Sequence, residues 1–255
     1  MPDSRLDTGT LLIGIDDTDN LNSRGTGYRA RCLGALLDEE GLGRIDGISR
    51  HQLLVSDAIP YTSHNSAACL RLEPSAWARI EAVIDCCREF LRTESAPGSD
   101  AGLCVLPLSA TGEEVRTFGQ RAQRKVLRRS DAEALAAREG AYLEGLTGDH
   151  GGMIGALAAV GLRAEGADGR FVWVRGIRER TEQRCSIADL LQTTGVDAVG
   201  TLDGREIRDG TQRLNLGPWP RPIARGGRAV LLVEENHDDQ DCQWRVIDRA
   251  VIKRF

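Results

Sequence analysis

The chain has 255 residues, 41% of them hydrophobic, which is enough for one large domain or two small ones with a buried core. Its formal net charge of −5 argues against a protein that coats nucleic acid nonspecifically. We expect a cytoplasmic protein without a membrane partner, because the sequence shows no signal peptide and no apolar run near transmembrane length. The seven cysteines include no C-x-x-C pair, which argues against zinc and disulfide frameworks.

The first predicted element is a strand that ends in a cluster of carboxylates. The apolar run Leu11–Ile15 has the length and composition of a buried strand, and Asp16, Asp17 and Asp19 follow it directly. Three carboxylates so close together raise one another's pKa unless a cation lies among them. The cluster therefore indicates a metal site, while a solvated acidic turn is the alternative, because Asp also begins turns and caps helices.

A glycine-containing loop separates these carboxylates from the first predicted helix, over residues 25–37. The loop contains Arg24, Gly25, Thr26 and Gly27, and glycines at a helix N-terminus let backbone N–H groups approach a phosphate. Mg²⁺ prefers carboxylate and phosphate oxygens and takes only one or two protein ligands in such settings. The combination predicts a magnesium–nucleotide site in which the three aspartates are the metal ligands.

The first half of the chain alternates between strands and helices. After the first helix we predict strands over residues 44–54 and 66–72, a helix over residues 74–90 and a strand over residues 102–108. This alternation favours an α/β layer.

Two segments in the middle of the chain carry candidate anion-binding groups. Residues 111–139 are helical in pattern and rich in arginine around Lys125; such a face is usually solvated, and contact with phosphate or RNA is the alternative. Gly151 and Gly152 precede an apolar helical stretch over residues 153–160. A glycine pair at a helix start is a candidate anion loop, and close packing of the helix is the alternative explanation.

The remainder of the chain predicts shorter elements. Strands are expected over residues 170–177, 229–235 and 244–251, with a short helix over residues 186–191 and turns over residues 193–209. The proline-rich segment over residues 217–222 is expected to be rigid and extended.

Three motifs occur in an order that is far more specific than any one of them alone. They are Gly14–Asp19 followed by Gly25, then Arg50, Ile59-Pro60-Tyr61 and Asn65, and finally Gly152–Gly161. In this order they resemble the archaeal tRNA 2-agmatinylcytidine synthetase family, over residues 11–180. The sequence shows no counterpart of that family's OB-fold or zinc ribbon.

The resemblance implies a mixed fold of the α/β (α+β) class. We expect a kinase-like α/β domain over residues 11–110, joined to a ferredoxin-like α+β domain over residues 111–255. The family uses ATP to activate the C2 oxygen of a tRNA anticodon cytidine, which agmatine then displaces.

Position by position, the resemblance also implies which residues form the site. Asp16, Asp17 and Asp19 correspond to the magnesium–ATP site of the family. The residues expected near that site are Gly25, Arg50, Asn65 and Gly152. Arg50 is the candidate for stabilising the charge that develops during transfer.

We therefore expect a Mg-ATP-dependent phosphotransferase or ATP-activating ligase, with a small molecule or RNA as acceptor. One alternative is a nucleotide- or RNA-binding module without catalysis. Another is a phosphatase with Asp17 as nucleophile and Asp19 as acid. Because the net charge is negative and phosphate contacts dominate nucleic-acid affinity, we expect no tight binding of whole tRNA.

Overall fold

The computed structural model describes residues 9–59, 65–75, 78–239 and 241–255, so the predicted Pro60-Tyr61 turn lies outside the described residues. The chain divides into two compact units between Glu165 and Gly166. The boundary expected after residue 110 falls inside the first unit. Within the described residues, no helix is both long enough and apolar enough to cross a membrane.

The first unit is a mixed arrangement of helices and one sheet, so the expected α+β class is confirmed. Its strands are β1 (Leu11–Asp16), β2 (Gly43–Gln52), β3 (Ser66–Pro74), β4 (Gly102–Pro107) and β5 (Tyr142–Gly145). Its helices are α1 (Thr26–Glu39), α2 (Ile80–Glu94), α3 (Glu113–Ala122), α4 (Arg129–Glu139) and α5 (Gly152–Glu165). The strands follow the order β5-β4-β1-β3-β2, and each neighbouring pair is antiparallel.

The topology of Leu11–Pro107 is β1-α1-β2-β3-α2-β4, with β3 inserted between β1 and β2. This is the split β-α-β, or ferredoxin-like, arrangement. The family resemblance predicts a ferredoxin-like domain over residues 111–255, whereas this arrangement lies in residues 11–107. The alternation of strands and helices along the sequence does not distinguish a kinase-like α/β domain from a ferredoxin-like one. The reason is that placing β3 between β1 and β2 in the sheet leaves the order of elements along the chain unchanged.

Strand β1 is apolar from residue 11 to residue 15 because helices cover both faces of the sheet. Leu11, Ile13 and Ile15 are at most 5% exposed and lie on one face, while Leu12 and Gly14 lie on the other by alternation. A strand that is buried on both faces consists of consecutive hydrophobic residues. This explains why polar and apolar residues do not alternate in β1.

Helix α5 lies directly against the sheet through glycines. A Cβ atom at Gly14 would overlap the carbonyl oxygen of Ala156, and a Cβ atom at Gly102 would overlap the backbone of Gly152. A Cβ atom at Gly161 would overlap the carbonyl oxygen of Val115 in α3. The small residues of α5 therefore permit close packing, which accounts for the glycine- and alanine-rich stretch of the sequence.

The second unit is built around the long strand β11. Its strands are β6 (Arg170–Trp173), β7 (Arg184–Ser186), β8 (Ala198–Gly200), β9 (Arg213–Asn215), β10 (Ile223–Arg225), β11 (Arg228–Glu235) and β12 (Trp244–Val246). Helices α6 (Ile187–Thr193) and α7 (Arg249–Ile252) accompany them. Strand β11 pairs antiparallel with β10 and β12 and parallel with β8.

Two predictions for this unit are wrong. The turns expected over residues 193–209 contain strand β8, whose three residues are too few to show a period. The strand expected over residues 244–251 ends at Val246 and gives way to α7, because the Asp248 side chain accepts a hydrogen bond from the Ala250 N–H and caps a helical turn.

We predict that Gly14→Ala lowers the free energy of unfolding by about 3 kcal/mol or more, because the new methyl group would displace α5 from β1. The measurement is urea denaturation followed by far-ultraviolet circular dichroism. Gly25→Ala is the matched control: its Cβ atom would meet only Asp19 Oδ2, at 3.7 Å, and we expect a cost of about 1 kcal/mol or less. Equal losses in the two variants would contradict the packing explanation.

Candidate functional site

The predicted site residues lie at one end of the first unit's sheet. Strand β1 ends at Asp16, opposite Gly102 at the start of β4. Strand β3 begins at Ser66 on the same side, since Ala68 pairs with Ile15. Helices α1 and α5 also begin at this end, so several chain segments that are distant in sequence meet here.

A cleft of about 270 Å³ opens at this end, and we call it the main cleft. The sequence-predicted residues that line it are Asp16, Asp17, Asp19, Thr26, Asn65, Gly151 and Gly152. Four further polar residues line it as well, namely Ser66, Asp100, Lys125 and Asp149. Apolar side chains make up much of the remaining lining, and we call Leu53, Ile59, Val126, Leu127 and Ile154 the apolar wall.

A second, smaller pocket of about 120 Å³ adjoins the main cleft. Three of the predicted residues, Gly25, Gly27 and Arg50, line this pocket rather than the main cleft. Asp19 and Thr26 line both. The structure therefore divides the predicted residues between two neighbouring pockets.

Arg24 is a predicted phosphate ligand that the structure does not place in either pocket lining. Its guanidinium carbon lies 4.5 Å from the centroid of the Tyr28 ring. This is the geometry of a cation–π contact, in which the side chain is held on the surface of α1.

Thr26 joins the acidic turn to the beginning of α1. Its Oγ1 donates a hydrogen bond to Asp19 Oδ1 at 3.0 Å and accepts one from Thr18 Oγ1 at 3.1 Å. Thr18 is fully buried. Helix α1 has no side-chain cap at Gly25, so its first turn ends in backbone N–H groups beside the smaller pocket.

The turn after β1 has an unusual backbone conformation at Asp17, with φ of 49°. This is the left-handed region, which Asp and Asn tolerate better than other non-glycine residues. Asp17 is one of the residues that line the main cleft, so this conformation lies at the candidate site.

Hydrogen bonds tie the loop before α5 to the segment before β4. The Asp149 N–H donates to Asp100 Oδ1 at 2.7 Å, and the Gly152 N–H donates to the Asp100 carbonyl oxygen at 2.9 Å. The Gly151 N–H donates to Asp149 Oδ1 at 3.0 Å. The amides of the predicted glycine loop are thus used within the protein. Gly152 lets the start of α5 lie close to the end of β1, because a Cβ atom at this position would be only 2.9 Å from the Asp16 carbonyl oxygen.

The carboxylates of the main cleft are held close together with little opposite charge. Burial raises the pKa of Asp16 to about 8, and the charge of Asp17 adds to the effect. Burial also raises the pKa of Asp17 to about 6, followed by the charges of Asp100, Asp19 and Asp149. Among the described residues that line the main cleft, only Lys125 carries a positive charge. The cleft therefore favours the entry of a cation.

Within the described residues, no three side chains of His, Cys, Asp or Glu are arranged closely enough to hold a metal ion by themselves. The carboxylates of the main cleft still suit Mg²⁺, because this ion keeps several water ligands and commonly binds one or two carboxylates together with substrate phosphates. Asp16, Asp17 and Asp19 remain the predicted ligands.

Sequence reasoning missed Asp100, Asp149 and Lys125 as lining residues. Asp100 stands two positions before an apolar strand, and pairing that strand with β1 would have brought it to the same end of the sheet. Lys125 lies in the arginine-rich segment whose charged face was interpreted mainly as solvated. The structure instead brings Lys125 to the cleft.

Comparison with known proteins gives one curated relative and several structural neighbours. No family model matches the chain. An uncharacterized protein of Methanocaldococcus jannaschii is 25% identical over 152 residues, or 60% of this chain and 49% of that protein. The chain thus spans about half the length of this curated relative.

The structural neighbours include TiaS, a tRNA agmatidine synthetase. The crystal structure of apo TiaS has a TM-score of 0.51 and 23% identity, covering 60% of this chain and 35% of that chain. The crystal structure of TiaS in complex with tRNA and ATP has a TM-score of 0.52 and 23% identity, with coverage of 60% and 36%. The chain has a TiaS-like fold. At these identities the similarity concerns the fold alone.

We predict that the ionisation of Asp16 destabilises the ligand-free protein as the pH rises from about 4 to about 8. The folded pKa of Asp16 is raised from 3.8 to about 8, so the folded state holds a proton that the unfolded state releases in this range. Asp16→Asn should flatten this dependence and exceed the wild type in stability above about pH 8. Urea denaturation in the presence of a chelator measures it, and parallel pH profiles for the two proteins would refute the prediction.

Proposed function

We propose that the main cleft and the smaller pocket together bind magnesium–ATP, and that the protein uses ATP to phosphorylate or activate an acceptor. The observation that carries this proposal is the meeting of Asp16, Asp17, Asp19, Asp100, Asp149 and Lys125 in one cleft at the ends of β1 and β4. A TiaS-like fold supports it, because TiaS has been crystallised with tRNA and ATP and also with tRNA, AMPCPP and agmatine.

The smaller pocket is suited to phosphate groups. The first turn of α1 presents backbone N–H groups there without a side-chain cap, and Arg50 lines the same pocket. A helix N-terminus and a guanidinium group both favour anions. Asp19 and Thr26 line both cavities, so a phosphate chain in the smaller pocket would extend toward the carboxylates.

The aspartates would hold the metal and Lys125 would neutralise phosphate charge. Mg²⁺ would supply charge neutralisation on the transferring phosphoryl group. Asp17 accepts a backbone hydrogen bond from Asp100, and Asp19 accepts one from Thr26 Oγ1, so both carboxylates are positioned before a ligand arrives. Phosphoryl transfer depends mainly on such positioning and charge stabilisation.

The apolar wall gives the main cleft a place for a planar or aliphatic group. Leu53, Leu127 and Ile154 provide apolar surface in the same cleft as the carboxylates. Ligand sites commonly combine an apolar lining with a few oriented polar groups. A nucleobase, either of ATP or of an RNA acceptor, and a small-molecule acceptor are the ligands that we propose for this wall. Tight binding of whole tRNA is still not expected from the net charge of −5.

We predict that Asp17→Asn weakens magnesium-dependent ATP binding by roughly 100-fold, the scale of losing one metal–phosphate anchor. Asn tolerates the left-handed backbone as well as Asp does, so the turn should persist and only the charge should change. Isothermal titration calorimetry with ATP and Mg²⁺ measures the effect. Asp38→Asn, an exposed change on α1 away from the cleft lining, is the matched control.

Two outcomes would count against the proposal. Equal ATP affinities for the wild type and Asp17→Asn would contradict the proposal that Asp17 binds the metal ion. ATP binding without any ATP consumption, with RNA and amine acceptors present, would favour the alternative of a binding module without catalysis. A phosphoryl group trapped on Asp17 would instead support the phosphatase alternative.

A further inference from the structure

The proline-rich segment of the second unit presents an aromatic side chain on a fixed backbone. Pro220 and Pro222 are buried, so the segment is part of the fold rather than an exposed proline-rich ligand. The Phe171 N–H donates to the Pro222 carbonyl oxygen at 2.8 Å, and the Glu182 N–H donates to the Gly217 carbonyl oxygen at 2.8 Å. Backbone contacts at both ends thus hold the residues between them.

Trp219, in the middle of this segment, is only partly buried and lies among arginines. The Cζ atom of Arg221 is 5.5 Å from the Trp219 ring centroid, and that of Arg249 is 5.0 Å away. The ring packs against a small hydrophobic core that includes Ile223 and Ile252. The indole is therefore anchored on the core and flanked by two cations.

Arg170 completes a group that we call the Trp219 cluster, which consists of Arg170, Trp219, Arg221 and Arg249. Burial lowers the pKa of Arg170, and the nearby charge of Arg249 lowers it further. Arg170 Nη1 donates a hydrogen bond to the Lys253 carbonyl oxygen at 3.4 Å, which ties Arg170 to the segment that follows α7. Like charges are thus gathered here rather than dispersed.

Two arginines of the cluster are not balanced by acidic residues. In the part of the chain that the structure describes, neither Arg170 nor Arg249 forms an ion pair with a carboxylate, whereas many other arginines do. The acidic residue next to Arg249 in sequence is Asp248, whose Oδ1 caps α7 by accepting from the Ala250 N–H at 2.6 Å. Arg249 is exposed and can contact an anionic ligand, while the partly buried Arg170 adds positive charge beside it.

We propose that the Trp219 cluster is a contact surface for single-stranded RNA, with the arginines on phosphates and the Trp219 indole against a base. Aromatic side chains among cationic groups are the usual components of surfaces that bind single strands. Arginine is well matched to phosphate because its planar fork donates two parallel hydrogen bonds. An acidic peptide would use the charge alone and leave the partly exposed indole without a planar partner.

This proposal concerns the second unit and is independent of the proposed ATP site. It is also compatible with weak binding of whole tRNA, because a surface with three arginines and one indole contacts only a few nucleotides. The expected interaction is therefore modest in strength and strongly dependent on salt.

The test uses the full chain and a fluorescein-labelled, unstructured RNA of about 12 nucleotides, with anisotropy measured between roughly 50 and 200 mM salt. Arg249→Gln should reduce the slope of log affinity against log salt by about 0.7, the value for one phosphate of a single strand. Trp219→Leu should weaken binding at least about fivefold without changing that slope.

Arg213→Gln is the matched control, because Arg213 is an exposed arginine on β9, separated from β10 by β11 and β12. It should leave both the affinity and the salt slope unchanged. Arg249 is exposed on α7, so its variant is expected to fold even if Trp219→Leu does not. Far-ultraviolet circular dichroism of each variant establishes that point.

Three results would overturn the proposal. They are no saturable RNA binding at the lowest salt, an equal loss in Arg213→Gln, and poly-glutamate binding as tightly as RNA of similar charge. Equally tight binding of poly-glutamate would indicate that the Trp219 cluster binds acidic protein partners instead of RNA. Weaker RNA binding and a smaller salt slope in Arg249→Gln, with unchanged ATP binding, would support the proposal and separate it from the ATP site.

Discussion

The close contact between helix α5 and strands β1 and β4 is the constraint on which the first unit depends. Glycine at positions 14 and 102 lets the helix backbone touch the sheet, and any side chain there would separate the two layers. The same contact sets the N-terminus of α5 beside Asp16, where a Cβ atom at Gly155 would overlap the carboxylate. The packing of α5 on the sheet therefore also sets the geometry of the site, since moving the helix would open the cleft.

The electrostatic character of the cleft follows from that packing. A carboxylate pressed against the start of a helix gains from the helix dipole but loses water, and for Asp16 the loss dominates, since burial is the largest cause of its raised pKa. The charges of Asp17 and Asp19 raise the pKa of Asp16 further, and those of Asp100, Asp19 and Asp149 raise the pKa of Asp17. Carboxylates that are gathered in one place at a cost in stability are typical of sites that bind a cation or a cationic substrate.

Local patterns predicted the elements well, and non-local pairing explains what they missed. The apolar run ending at Asp16 and the glycine-led helices were evident, because burial and capping leave a signature within a few residues. The position of Asp100 depends on which strand pairs with β1, and Lys125 reaches the cleft only through the turn between α3 and α4. Neither fact is encoded in a short window. The ferredoxin-like topology of Leu11–Pro107 was missed for the same reason.

The raised pKa values of Asp16 and Asp17 have a thermodynamic consequence for any cation that enters the cleft. With a pKa of about 8, Asp16 is mostly protonated near neutral pH when no cation is bound, and binding of a cation would release that proton. The heat of binding would then include the heat with which the buffer takes up that proton. Titrations in two buffers of different ionisation enthalpy would therefore give different apparent heats, and the difference would count the protons released.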